Sequence, residues 1–210
     1  MTSFHSKRMV LAGLMAIGTA ASLSGCFPLV VAGAAGGALV ATDRRSAGTQ
    51  LVDQQIELAA NKVLRNSAVE PAHIDVTSYN RRVLLTGEVP NEQDKQLAGQ
   101  LVSRVENVNA IVNELHIGEN ASFSQRSSDT LITGKVKASL VDAKDLYANA
   151  FKVVTENGTV YLMGRVTKRE AERASDIARS VSGVQRVVRI FDIVDDANLM
   201  QQEVPQAPAK

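Results

Sequence analysis

The sequence predicts an α+β protein made of two tandem copies of one small unit, each a mixed sheet covered by two helices. Three observations carry this expectation. A strand-like motif recurs, Val83-Leu84-Leu85-Thr86-Gly87-Glu88-Val89 and Val160-Tyr161-Leu162-Met163-Gly164-Arg165-Val166, with its glycines 77 residues apart. A later turn recurs at an offset of 76, Val105-Glu106-Asn107-Val108 and Val181-Ser182-Gly183-Val184, so one residue is deleted in the helix between the anchors. Around both anchors, apolar residues run through the same order of helical and strand periods.

In the first copy, Ile56, Ala60, Val63 and Leu64 sit at helical spacing; in the second, Ile132, Val136 and Leu140 do. A strand follows, with alternating Ile74 and Val76 or Phe151 and Val153. Asn80-Arg81 and Asn157-Gly158 then mark hairpin turns, since Asn and Gly tolerate positive φ. The second strand ends at Gly87 or Gly164, structural glycines that suit a bulge or a close approach of backbone. A second helix offers Leu97, Leu101, Val102 and Val105, or Ala174, Ile177, Ala178 and Val181. The last strand runs from Ala110 to Ile117 or from Arg186 to Val194, giving the order αββαβ in each copy.

The segments outside the repeat have their own signatures. Residues 1–25 read as a lipoprotein signal peptide. His5, Lys7 and Arg8 form a basic start, and Met9 to Ala21 an apolar stretch too short for an ordinary membrane span. Leu23-Ser24-Gly25-Cys26 resembles a lipobox, which makes Cys26 the expected site of lipidation. By resemblance to bacterial lipoproteins, an Asp after the Cys favours the inner membrane; Phe27 and Pro28 stand here and point to the outer membrane, facing the periplasm. Residues 26–50 form a Gly/Ala-rich tether; Leu29 to Thr42 suits either a segment at the bilayer surface or a small-residue helix against a partner. The first domain is expected over 51–118, a polar linker over 119–127, the second domain over 128–196 and a disordered tail over 197–210.

The V-x-L-x-G-x-V strands at Val83 to Val89 and Val160 to Val166, each followed by a helix and an E-N-V or S-G-V turn, resemble a pair of BON domains. The resemblance covers nearly all of the chain after Cys26, including Ala41-Thr42-Asp43, Ser46 to Gln50 and Asp129-Thr130. It implies an outer-membrane lipoprotein that supports envelope integrity, gathers at the division site, and recognises anionic phospholipid through the first helix of its second domain. The lipid-binding residues so implied are Leu131, Ile132, Gly134, Lys135, Val136, Ala138 and Ser139.

At about 100° per residue, Ile132, Val136 and Leu140 form the core stripe of that helix, while Leu131, Lys135 and Ala138 fall outside it with Gly134 alongside. An exposed Leu among small residues suits insertion into a headgroup layer, with Lys135 near phosphate and Lys137 close by. Asp142 on the same side opposes this. The resemblance implies an aromatic where Leu131 stands, and Leu lacks an aromatic's interfacial preference. Residues 51–118 hold six Lys/Arg and nine Asp/Glu, a net of −3, whereas residues 128–196 hold eleven and ten, a net of +1. The second copy is therefore the less repelled by anionic lipid.

Several function classes are disfavoured. A formal net charge of +1 argues against a nucleic-acid binder working through a basic field. Cys26 is the single Cys, and with His5, His73 and His116 it is too little for a Cys/His metal site, so no metal or cofactor is expected. His73 and His116 have no nucleophile to join, and Asp192, Asp195 and Asp196 lack metal-loop spacing. Glu170 and Glu172 lie beside Arg169 and Arg173, where helix ion pairing suffices. Gly33 to Gly37 follows no strand and makes no phosphate loop. No enzyme and no small-molecule substrate are expected. The competing reading is an adaptor for an outer-membrane assembly machine or a cell-wall enzyme regulator; a plain structural spacer is the third.

Overall fold

The structure, a computed structural model, describes residues 43–67, 69 and 73–195. The expected signal peptide, Cys26, most of the tether and the expected tail lie outside these residues. The first unit comprises α1 (Ala47–Arg65), β1 (His73–Tyr79), β2 (Arg82–Val89), α2 (Glu92–Ser103), β3 (Ala110–Asn113) and β4 (His116–Ile117). The second comprises α3 (Phe123–Asp142), a short 3₁₀ turn (Ala148–Ala150), β5 (Phe151–Glu156), β6 (Thr159–Val166), α4 (Lys168–Ser180) and β7 (Arg186–Ile193). Both follow the order αββαβ. In each, the first two strands pair antiparallel and the last pairs parallel to the central one, β2 or β6.

Helix starts differ from the sequence expectation at both copies, for one reason. Ser46 caps α1 by accepting from the Thr49 N–H, so the fold begins four residues before Leu51. Ser122 caps α3 by accepting from the Gln125 N–H, so the helix takes up the latter part of the expected 119–127 linker. The last strand of the first unit is also broken, between Asn113 and His116. Asn113 Nδ2 donates to the Lys95 carbonyl of α2, and Leu115 turns into the core, 1% exposed.

Each helix pair covers one face of its sheet. Ile56, Ala60 and Leu64 of α1 meet Val83, Leu85 and Val89 of β2 and Ala98 and Val102 of α2. Ile132, Val136 and Leu140 of α3 meet Val160, Leu162 and Val166 of β6 and Ala174 and Ala178 of α4. The repeat glycines lie where backbones crowd: a Cβ at Gly87, whose φ is +107°, would stand 1.9 Å from the His73 carbonyl oxygen, and one at Gly164 would stand 2.6 Å from that of Ala150.

A buried aspartate in the first helix of each unit ties that helix to the hairpin. Asp53 accepts from the backbone N–H groups of Asn80 and Arg81, both at positive φ, and from the Ser78 hydroxyl. Asp129 accepts from the N–H groups of Asn157 and Gly158. Such turns leave two N–H groups pointing inward, and a carboxylate satisfies both.

The other faces of the two sheets cover each other. Leu84 and Tyr79 of the first sheet pack with Tyr161, Met163 and Ile190 of the second, so the central strands are buried on both sides. Polar contacts ring this apolar centre. The Tyr79 hydroxyl donates to the Ala150 carbonyl at 3.4 Å, Asn80 Nδ2 to Asp192 at 2.9 Å, and Asn157 Nδ2 to Glu88 at 3.0 Å; Arg186 pairs with Glu114. Burial, then the carboxylates of Glu88, Asp129 and Asp75, push the Glu156 carboxyl up from 4.5 to about 7, against the pull of Arg126.

Asp129→Ala leaves two inward N–H groups without an acceptor. Denaturant unfolding should give a loss of about 3 kcal/mol, whereas an exposed substitution such as Asp176→Ala should cost little.

Candidate functional site

With both sheets occupied by each other, the outer faces of the helices are the broad surfaces left exposed, and α3 carries three large apolar residues on its own. Its capped start at Ser122 adds a full turn and more before the segment that the sequence singled out. At about 100° per residue, Phe123, Ser127, Leu131, Gly134, Ala138 and Val141 fall within about 80° of one another. Phe123 is 82% exposed, Leu131 66% and Val141 68%, which is high for residues of this size and leaves them facing solvent. A Cβ on Gly134 would meet nothing within 4 Å, so the stripe is open along its middle. The exposed Lys135 and Lys137 flank it, each roughly 40° beyond an edge. Asp142 is exposed at the helix end.

The expected site residues therefore divide. Leu131, Gly134, Lys135 and Ala138 face outward, and Ser139 is half-buried. Ile132 and Val136 do not belong to this face. They are 4% and 0% exposed and pack among Leu162, Ala174 and Ala178, because every third or fourth residue of the helix must close the core. Phe123 and Val141 were missed. The signal for Phe123 was the Ser122-to-Gln125 spacing, a helix-start pattern inside a polar stretch that otherwise reads as linker.

The chain enters the described fold beside this helix. Asp43 shares a shallow cleft of about 410 Å³ with Lys137 and Val141 of α3 and with Arg45, Tyr79 and Lys152. Two adjacent arginines fix that entry point. Arg44 makes a two-pronged pair with Glu170 of α4, at 2.7 and 2.8 Å, and its guanidinium lies 5.5 Å from the Tyr147 ring. Arg45 pairs with Asp43 and Asp53, both at 2.8 Å, and stacks 4.1 Å over the Tyr79 ring. Burial alone would raise the Glu170 carboxyl; hydrogen bonds from Arg44 and Thr167 outweigh it and hold the group below the usual carboxylate range. Glu170 thus serves Arg44 and the N-terminus of its own helix rather than the arginines beside it, which pair instead with Asp145.

Two further exposed apolar residues, Leu51 (56%) and Leu58 (72%), stand one above the other on α1. Gln54 and Gln55 lie between them, and at about 100° per residue the exposed Lys62 and Arg65 follow on the same face toward the helix end. Among the described residues, no helix is long and apolar enough to cross a membrane.

Residues 52–119 and 128–194 match the BON domain family. The chain is similar to the outer membrane lipoprotein DolP of Haemophilus influenzae, 39% identical over 181 residues, which span 85% of this chain and 94% of that protein. It is similar also to the 21 kDa hemolysin of Actinobacillus pleuropneumoniae, 37% identical over 72% of this chain and 79% of the relative. The osmotically-inducible protein Y of Escherichia coli is 29% identical over 57% of this chain and 61% of its own length.

The two sides of α3 should respond oppositely to the same change. Leu131→Glu is expected to leave the thermal midpoint nearly unaltered, within about 0.5 kcal/mol of stability. Ile132→Glu buries a charge among apolar groups and should abolish cooperative unfolding, as read by circular dichroism.

Proposed function

We propose, from the premise that this chain belongs to the BON-domain family, that it is an outer-membrane-anchored periplasmic lipoprotein binding anionic phospholipid through α3 of its second domain. The single observation that carries the reading is the outward stripe of α3: an aromatic, two large aliphatic residues and small residues between them, flanked by Lys135 and Lys137. Phe123 offers the ring that Leu131 lacks, about 12 Å along the same helix. Such a stripe suits a helix lying in the headgroup layer, with its lysines at phosphate level.

The entry point of the chain supports the same reading. Acylation at Cys26 would hold the protein at a membrane, and Asp43, later in the same chain, lines a cleft with Lys137 and Val141. An anchor leading in at that point keeps the stripe close to the bilayer at high local concentration, so weak contacts suffice. On this reading the molecule is a binding protein and not an enzyme, supporting envelope integrity, with gathering at the division site following from the family resemblance. The likeness to an outer membrane lipoprotein over 94% of its length is the support for the compartment.

A second reading has its own observation. Leu51 and Leu58 on α1, in a domain of net charge −3, suit an adaptor that docks a periplasmic protein while lipid serves only as the tether. Headgroup charge separates the two, since lipid recognition requires anionic headgroups and fades with salt.

The test is co-sedimentation of a fragment spanning residues 43–195, which retains the Arg44 and Arg45 contacts but not the leader. Pelleting with anionic and not with neutral vesicles is expected, reduced by 0.5 M salt and lost in Leu131→Glu and Phe123→Glu, but kept in Leu58→Glu. Failure to pellet with either vesicle would sink the lipid reading and leave the adaptor.

A further inference from the structure

A second group of side chains converges where the two domains meet, away from α3's outer stripe and independent of the lipid reading. His73 and Asp75 project from β1 of the first domain and Glu156 from the end of β5 in the second. One ligand atom from each lies within 4.8 Å of the other two. His73 Nε2 is 3.9 Å from Asp75 Oδ2, and His73 Nδ1 is 3.7 Å from Glu88 Oε2. Both separations are too long for hydrogen bonds.

Glu88 supplies an independent observation at the same place. Its side chain is 1% exposed, with Oε1 accepting from Asn157 while Oε2 has no partner, and His73 Nδ1, facing it, is likewise buried without one. A buried carboxylate oxygen left bare is costly and uncommon. Gly87 lets the strands approach here: a Cβ there would stand 1.9 Å from the His73 carbonyl oxygen and 3.3 Å from its Nδ1.

We propose that His73, Asp75 and Glu156 bind one divalent cation of the zinc class, with Glu88 accepting the Nδ1 proton of His73 as the ligand's orienting carboxylate. Imidazole and carboxylate together suit such a cation, and bond lengths of 2.0–2.1 Å place tetrahedral ligands about 3.4 Å apart. The observed gaps of 3.9 to 4.8 Å close to that by small side-chain rotations. A ligating histidine characteristically gives its other N–H to a carboxylate, and Glu88 stands where that proton points. The 62% exposed Asp75 side chain leaves the fourth position open to water. Because Glu156 comes from the second domain and the other ligands from the first, the ion clasps the two sheets together. It also neutralises a corner where carboxylates crowd.

The full chain, stripped with chelator, is titrated with zinc chloride by calorimetry and followed by thermal unfolding. One equivalent should bind and raise the midpoint by several degrees, reversed by EDTA. His73→Gln and Glu156→Gln should each weaken binding at least about tenfold and remove the shift, while the exposed Glu172→Gln keeps both. Midpoints measured in EDTA establish that the variants are folded. Absence of saturable zinc binding, or binding that these two variants leave unchanged, would overturn the site.

Discussion

The burial of each sheet's second face by the other is the constraint on which the remaining features depend. A lone αββαβ unit covers one side of its sheet with helices and leaves the other to water. Here Leu84, Tyr161 and Met163 occupy that other side and make a third apolar core between the two ordinary ones. The duplication therefore does more than add a second copy, since each unit completes its partner. Central strands buried on both faces read as continuous apolar runs, as Val83–Leu85 of β2 and Val160–Met163 of β6 do.

Two consequences follow for function. The sheets have no free face, which leaves the helices' outer surfaces as the broad exposed ones, and α3 carries Phe123, Leu131 and Val141 on its own. Domain orientation is also fixed, which lets a contact at one end position a surface at the other. Arg44 and Arg45 use this: adjacent residues reach into different domains, one to Glu170 and one to Asp53, and stitch the incoming chain across the junction. The Asp53 carboxylate is shared between that stitch and the β1–β2 turn, so the entry point and the hairpin are held by one buried group.

The repeat, the element order and the core stripes were legible because each rests on periodicity that both copies display. The glycines of the repeat were legible as structural, and the distances to His73 and Ala150 give the reason. The start of α3 inside the expected linker was not legible because capping depends on a single serine, and Ser122 sits among residues whose composition signals loop. Ile132 and Val136 entered the lipid face by resemblance, although their spacing with Leu140 already assigned them to the core. Contacts between domains were not legible at all. Asn80 with Asp192, Arg44 with Glu170 and Glu156 beside His73 join residues from about 80 to more than 120 positions apart. No local pattern encodes such pairings.

The central claim is that α3 presents its outer stripe to the bilayer, and immersion depth tests it most directly. Spin labels placed singly at Phe123, Leu131, Val141 and Leu58 of the fragment report their access to a water-soluble relaxant and to oxygen. The account predicts that anionic vesicles shield the labels at 123, 131 and 141 from the aqueous relaxant and raise their contact with oxygen, leaving 58 unchanged. Shielding at 58 with continued aqueous access at 131 would contradict it and turn the other helix toward the membrane.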